Sequence, residues 1–361
     1  MKTLSKNARS NAVTYGIVIL FFIVMQILSG AGMLTSSLKG QLIPICVYIC
    51  MAVSLNLTVG ILGELSLGHA GFMSVGAFTG VVVAMSLQSA VPSGPVRLIL
   101  ALIVGGLMAA VVGVLVGVPV LRLRGDYLAI VTLAFGEIIK NIINNLYVAW
   151  DADGLHVKLL SIISKADLND GFIIINGPQG ATGITKLSTF TAGFLLILFT
   201  LFVVLNLIQS RSGRAIMALR DNRIAAESVG INVTKYKLMA FVVSAALDGM
   251  AGALYAMNFT GIAAKKFDFN TSILVLVFVV LGGMGNIRGS IIAAAVLYVL
   301  PELLRAVNNY RMLFYAIVLI VVMLVTNNPT LKNGLKAVWT ALKSVFYKQV
   351  PADGKEGGSN E

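Results

Sequence analysis

Five ionisable side chains lie in or beside otherwise apolar runs and define the chemistry this chain offers: Glu64, His69, Glu137, Lys140 and Asp248. Carboxylates, an imidazole and an ammonium in such places carry protons, join helices as ion pairs, or line a polar path for a solute. Glu137 falls about 11 residues into the run that follows the RGDY turn at Arg124–Tyr127, roughly 16 Å at the helical rise and near the middle of a bilayer. Lys140 at i+3 and Asn141 at i+4, then Asn144 and Asn145, make one helix face a polar stripe. A bare charge at that depth costs at least ~2.5–3.5 kcal/mol, so the stripe must face other helices or water. A Glu137–Lys140 pair gluing helices and a stripe lining a conduit both satisfy that demand. Asp248 also falls about 11 residues from its nearer boundary. It reads either as a partner for Lys140 or as a group that tunes the conduit; the pair is preferred, because a lone carboxylate there tends to neutralise.

Gly63-Glu64-Leu65-Ser66-Leu67-Gly68-His69-Ala70-Gly71 interrupts a second apolar run. Backbone groups freed by such a break are tolerated only inside protein or against a cavity. It is either a gate or re-entrant turn, or a tight inter-helix turn in which His69 bonds a carbonyl. Asn56, Glu64, Ser66 and His69 therefore join Glu137, Lys140, Asn141 and Asp248 as candidate lining residues. Other chemistries are excluded. There is no nucleophile–base pair, metal-ligand cluster or lipidation signal. The phosphate-loop pattern is missing, since the one Gly-Lys, Gly354-Lys355, is followed by Glu356. Cys46 and Cys50, one helical turn apart in an apolar run, read as small packing residues.

The elements that must position these residues are membrane helices. Hydrophobic residues make up 58% of the chain and charged ones 12%, about half the share usual in soluble domains. Charge-poor windows long enough to cross about 30 Å of hydrocarbon fall near residues 12–33, 42–62, 71–89, 97–119, 127–149, 188–209, 237–257, 270–286, 289–307 and 312–329. The first has a basic leader but is too long for a signal-peptide core. With the N-terminus inside, inner segments carry 17 basic residues and outer ones 9, which places both termini in the cytoplasm. The expected fold class is thus all-α, a polytopic membrane protein of about ten transmembrane helices with N- and C-termini cytoplasmic. The net charge of +12 lies between apolar runs without interleaved aromatics, so it sets topology and does not mark nucleic-acid binding. Gly76/Gly80, Gly113/Gly117 and Gly285/Gly289 each predict close helix approach. The GGMGNIRG string at 282–289 is no dinucleotide fingerprint, because its third glycine comes one residue late and no strand precedes it.

Residues 211–237 form a polar loop with six basic and two acidic residues between two such runs. Asn222 predicts an N-cap, Arg223–Val229 a short helix, and Gly230 a left-handed C-cap. Ala225 and Ala226 give that helix a smooth face suited to a groove on another protein. The segment 151–187 is a long external connection, either a surface domainlet open to a partner or a solvated loop. Leu331, Leu335, Val338, Leu342 and Phe346 predict an amphipathic helix lying on the inner leaflet, ahead of a disordered end. The expected division is a transmembrane domain over 1–330 and a tail over 331–361.

Several of these strings resemble one family. LNLTVGILGELSLGHAGFMSVGAF at 55–78, RLRGDYLAIVTLAFGEIIKNIINN at 122–145, the 213–256 region and the Gly-Gly-Met-Gly turn at 282–285 are similar to the permease subunits of bacterial ABC importers of the branched-chain amino acid type. The resemblance covers roughly 40–330. The leading Glu usual in ABC permease loops is Ile224 here, as is common in this branch; the resemblance departs at Asp248 in SAALDGMAG, where the family has a small apolar residue, and through 151–176. It implies a permease that moves branched-chain or related hydrophobic amino acids across the bacterial inner membrane. It also implies two cytosolic ATPase subunits that bind the ATP, so that this chain needs no cofactor of its own, together with a second, related permease, an extracytoplasmic solute-binding protein and surrounding membrane lipid. Gly213, Arg214, Arg220, Asp221, Asn222, Ala225, Ala226 and Gly230 become the expected ATPase-docking residues. Cargo such as urea, short amides or nucleosides on the same machinery is an open alternative. So is a proton-coupled carrier using Glu137 and Asp248.

Overall fold

A computed structural model describes residues 6–32, 35–123, 125–151, 154–160, 171–304 and 310–327. The chain divides into two units, residues 1–302 and 303–361. Of the second, the described part is essentially the apolar helix α12 (Arg311–Asn327); the predicted amphipathic tail lies outside the described residues.

The first unit is built on three helices packed backbone to backbone: α3 (His69–Ser86), α4 (Gly94–Val120) and α9 (Val233–Ala256). Small residues make this possible, since without a hydrophobic force between lipid-embedded helices close van der Waals contact must hold them. A Cβ on Gly76 would stand 2.0 Å from the Gly249 carbonyl oxygen, and one on Gly252 the same distance from that of Met73. α2 (Ser36–Asn56) joins α9 through a reciprocal clasp, in which the Ser54 hydroxyl donates to the Ser244 carbonyl and the Ser244 hydroxyl to the Ser54 carbonyl, each at 2.8 Å. α6 (Phe190–Gln209) closes on α2 where Gly193 meets Cys46, consistent with the packing role read for the cysteines. The predicted glycine approaches hold for Gly76/Gly80 and Gly113/Gly117. Gly285/Gly289 is different: Gly289 folds back on Gly282 within the turn that joins α10 (Phe269–Gly282) to α11 (Ile287–Leu303).

Among the described residues six helices are long and apolar enough to cross a membrane: 11–30 within α1 (Lys6–Gly30), 36–62, 69–86, 94–120, 190–209 and 233–256. α5 (Asp126–Asn144), α10, α11 and α12 are shorter or more polar. The expected fifth span, 127–149, stops early. Leu146–Trp150 is β-branched and aromatic apart from Leu146 and Ala149, and it leaves the helix to become a strand.

That strand corrects the all-α expectation. β1 (Leu146–Asp151), β2 (Gly154–Leu159), β3 (Phe172–Asn176), β4 (Ala181–Thr182) and β5 (Gly261–Ile262) form an antiparallel sheet in the order β2-β1-β3-β4-β5. Its register pairs Ala149 with His156 and Tyr147 with Asn176, with a bulge between Val148 and Ala149. Ile174, Ile175, Val148 and Ala149 are buried, and the Asp151 carboxylate, itself buried, accepts from His156 Nε2 at 2.9 Å. Among the described residues of this connection, β1 and β3 pack at one end of the helices and β2 is exposed, where the polar composition had suggested a surface domainlet or a solvated loop.

Candidate functional site

The polar stretch 211–232 lies at the opposite end from the sheet. It folds as two helices: α7 (Arg211–Asp221), which was not foreseen, and α8 (Arg223–Ser228). Ser210 caps α7 by accepting from the Gly213 N–H, and α7 buries Gly213, Ile216 and Leu219. Gly213 sits at the elbow with α6, where a Cβ would meet the Leu207 carbonyl at 2.2 Å. α8 has the predicted ends. Asn222 Oδ1 accepts from the Ala225 N–H at 3.0 Å, and Gly230 has φ +84°. Ile231 N–H donates to Ala226 C=O and Gly230 N–H to Glu227 C=O, closing the last turn.

The outer face differs from expectation. Ala226 is 4% exposed and packs inward on Leu219 and Val233, so it is no docking surface. Exposed instead are Ala225 and two bulky apolar residues, Ile224 at 79% and Val229 at 76%. Each had a sequence signal in being apolar and lone within a charged loop. Asp221, Asn222 and Gly230 are exposed. Arg214 donates to the Gln209 carbonyl and borders a cavity. Arg220 makes the connection inward. Held by Asp221, its Nη1 donates at 3.2 Å to the Gly60 carbonyl.

Gly60 belongs to a single wide π-turn, Leu57–Leu62, that ends α2. Such a turn does not return every carbonyl to the helix ladder. A Cβ on Gly60 would fall 1.9 Å from Asn56 Oδ1 and 2.2 Å from the Gly285 nitrogen, so α2 and the 283–286 turn touch here. Asn56 fastens that contact, accepting from Gly285 N–H at 2.8 Å and donating to Ser290 Oγ at 2.9 Å.

From Gly63 the chain runs non-helically to His69, and both ends are tied to α9. Glu64 pairs with Lys237, which is 5% exposed, and His69 Nδ1 pairs with Asp248, both buried. Between them the freed backbone finds hydroxyl groups. Leu67 N–H donates to Thr132 Oγ1 of α5, and Ala70 N–H donates to Ser272 Oγ of α10. Thr58 spends its one hydroxyl proton on the Leu55 carbonyl, so at 3.3 Å it accepts from His69 Nε2. His69 thus bridges α9 and the π-turn, with Nδ1 on Asp248 and Nε2 on Thr58. The break is thus a non-helical segment sealed by side chains of α5, α9 and α10. Asp248 does not pair with Lys140, whose partner is Glu137 on its own helix.

The predicted conduit residues divide accordingly. Asn56, Ser66, His69 and Asp248 are buried, and Glu64 is half-buried against Lys237. Glu137 and Lys140 are partly exposed and Asn141 is exposed, on the face of α5 turned away from the chain's own core. Beyond α5, next to the sheet, a cavity of about 680 Å³ is lined by Met85, Ser86, Trp150, Phe172 and Asn176 among others.

This arrangement has many relatives in sequence. Residues 37–323 match the family described as the permease component of branched-chain amino acid transport systems. The chain belongs to this permease family. It is 35% identical over 291 residues to the LivM permease protein of a high-affinity branched-chain amino acid transport system in Escherichia coli, which covers 77% of this chain and 66% of that protein. A probable LivM of Methanocaldococcus jannaschii is 26% identical over 73% of this chain and 80% of its own length. A nucleoside ABC transporter permease of Lactococcus lactis is 28% identical over 55% of this chain and 60% of its own. No solved structure matches the chain. The family and the six apolar helices make this an integral membrane protein of the permease type.

Proposed function

We propose that this chain is the membrane-spanning permease subunit of a bacterial inner-membrane ABC importer for branched-chain or related hydrophobic amino acids. α5, α10, α11 and α12 complete a set of ten crossings, with both termini and the α7–α8 elbow in the cytoplasm and the sheet outside. The permease family supports the transport role, and a sequence without the phosphate-loop pattern is in keeping with ATP bound by separate motor subunits.

The observation that carries this reading is α8. It is too short to bury a core, yet it is capped at both ends and presents Ile224 and Val229 to solvent. A capped helix with an apolar knob on each end is shaped to sit in a partner's groove and to move as a rigid body. Arg220, one residue before its cap, passes that motion to Gly60 and so to the π-turn, the non-helical 63–68 segment and the 283–286 turn. A second permease, for which the similarity to a LivH protein offers a type, covers the polar face of α5, so that Glu137, Lys140 and Asn141 border the path between the two chains. A solute-binding protein docks outside on the sheet.

Ile224→Asp and Val229→Asp together are expected to release the ATPase from the purified complex and abolish uptake while the permease still inserts; ATPase retained by the double variant defeats this reading. The relative named for nucleosides supports a second cargo. Calorimetry of the binding protein with leucine against guanosine separates the two. A proton-coupled carrier is disfavoured because Asp248 is fully enclosed and committed to His69.

A further inference from the structure

Arg97 carries a charge that the fold does not answer. It sits in the first turn of α4, 7% exposed, where the helix dipole is itself positive. Its Nη1 donates at 3.4 Å to the Ala84 carbonyl in the last turn of α3, and its Nε is buried without a partner. Among the described residues no carboxylate pairs with it. A guanidinium presents five donors in a planar fork, and one long bond to a carbonyl does not fill it. Lys237, buried to the same degree, is paired with Glu64. A buried cation without an anion is costly, so Arg97 calls for one that the chain does not supply.

Two residues on from Ala84 the chain reaches a space where an anion fits. Ser86 lines the cavity of about 680 Å³ beside the sheet, and its hydroxyl too is buried without a partner. That volume lies in the range of about 300–1,000 Å³ usual for small-molecule sites. The wall holds no charged side chain of its own. Asp151, which follows the wall residue Trp150 on β1, is taken by His156. Arg97 therefore sets the sign of the field from its place behind Ala84. The remaining lining is of two kinds: Gln88 and Asn176 bring amide groups, while Trp150 and Phe172 bring aromatic surface. Orphaned donors at one wall, amide oxygens and an apolar face suit a small molecule with a carboxylate, an ammonium and an aliphatic part.

We infer that this cavity is a receiving site for a small carboxylate-bearing solute, with the Ser86 hydroxyl as a direct ligand and Arg97 as the residue that selects the anion. The inference rests on the import reading above, whose cargo is an amino acid. The carboxylate turns toward Ser86 and Arg97, the ammonium toward the amide oxygens, and the side chain lies on Trp150 and Phe172. A nucleoside or urea has no anion to offer, so the same arginine divides the two classes of cargo.

Trp150 in the wall supplies the readout. The chain has one other tryptophan, Trp339, and Trp339→Phe leaves Trp150 as the sole emitter. The full chain, purified in detergent, is titrated with leucine, with isocaproate, which lacks the ammonium, and with leucinamide, which lacks the carboxylate. Leucine and isocaproate are expected to shift the emission saturably, and leucinamide to bind at least about tenfold more weakly, as for the loss of a charge-assisted hydrogen bond. Arg97→Gln abolishes the difference between leucine and leucinamide, and Arg97→Lys keeps most of it. Should Arg97→Gln fail to fold, Ser86→Ala still tests the site, because it leaves the guanidinium in place and weakens leucine several-fold. Leucinamide that binds like leucine overturns the inference, as does a saturating leucine titration without any change at Trp150. Arg97→Gln or Ser86→Ala chains that bind leucine like the wild type overturn it as well. A shift produced by ligand-free binding protein and not by leucine does the same, since the cavity then seats a protein segment. Uptake by the assembled importer is read separately: leucine uptake without leucine binding at Trp150 sinks the site and leaves the import reading standing, whereas leucine binding at Trp150 in an importer that carries no amino acid sinks that reading and leaves the site.

Discussion

Asp248 and Glu137 are carboxylates within two long helices, and their partners come from different places. Glu137 is answered by Lys140, one turn along the same helix. Asp248 is answered by His69, 179 residues away at the head of α3. The local pair is closed within one helix and leaves α5 with a polar face partly open to its surroundings. The distant pair closes the non-helical 63–68 segment onto α9 in a place that is 0% exposed at Asp248 and 1% at His69. A charge met within its own helix remains available for function, while one met across the chain is consumed by the fold.

The largest effect expected from this contrast is at Asp248. Asp248→Ala leaves the His69 ring without its partner in a dry site, and breaking a buried pair by removing one partner costs ~3–5 kcal/mol. Folded, monodisperse protein in detergent is expected to fall away, and His69→Leu with Asp248→Leu to recover most of it, because replacing both partners is close to neutral. An Asp248→Ala chain as stable as the wild type erases the distinction between the two carboxylates.

Glycines extend the same contrast to the backbone. On α3, Gly76→Ala drives a methyl against the Gly249 backbone, and a forced separation of α3 from α9 costs ~1–3 kcal/mol or more. On α5, a Cβ at Gly136 finds its nearest neighbour at 3.6 Å, so Gly136→Ala is neutral or gains up to ~1 kcal/mol of helix propensity. Thermal unfolding of the two variants side by side measures the gap. A Gly76→Ala chain that melts like Gly136→Ala shows the three-helix core to be loose.

Glu137→Gln reverses the pattern. Stability changes by less than ~1 kcal/mol, as for other partly exposed pairs, whereas uptake into vesicles by the assembled importer drops several-fold. Unchanged transport removes α5 from the path.

Much of this was legible before the fold. Glu64, His69 and Asp248 were conspicuous because charge in apolar runs demands a partner, and the caps at Asn222 and Gly230 follow from local backbone rules. Which partner is chosen is a matter of three-dimensional approach, and no spacing encodes it. Asp248 therefore finds His69 and leaves Lys140 to Glu137. Ala226 was misjudged for a related reason: on a helix of six residues two adjacent alanines point in different directions, and only the packing of Leu219 and Val233 decides which is inside. The sheet escaped notice because strands of two to six residues leave too short a pattern against a polar background.

The smallest effect lies where the α5 pair touches the rest of the chain. Asp268 caps α10, accepting from Thr271 N–H at 3.0 Å, and its other oxygen accepts from Asn270 at 2.9 Å. Partial burial pushes this carboxyl upward, but the bonds from Thr271 and Asn270, helped by the Lys140 ammonium, outweigh burial and hold it below the ordinary carboxylate value. A group with a lowered folded value stabilises the protein above its unfolded pKa, about 3.9, and loses that contribution as pH falls through the folded one. Asp268→Ala is thus expected to cost about 1 kcal/mol at neutral pH, as for a lost helix cap, and progressively less in acid. Lys140→Met should weaken the acid sensitivity and leave the neutral-pH cap largely in place. Melting curves of the two variants from pH 7 down to about pH 3.5 decide it: an Asp268→Ala penalty that stays constant with pH means the cap acts without its charge, and Lys140 then belongs to Glu137 alone.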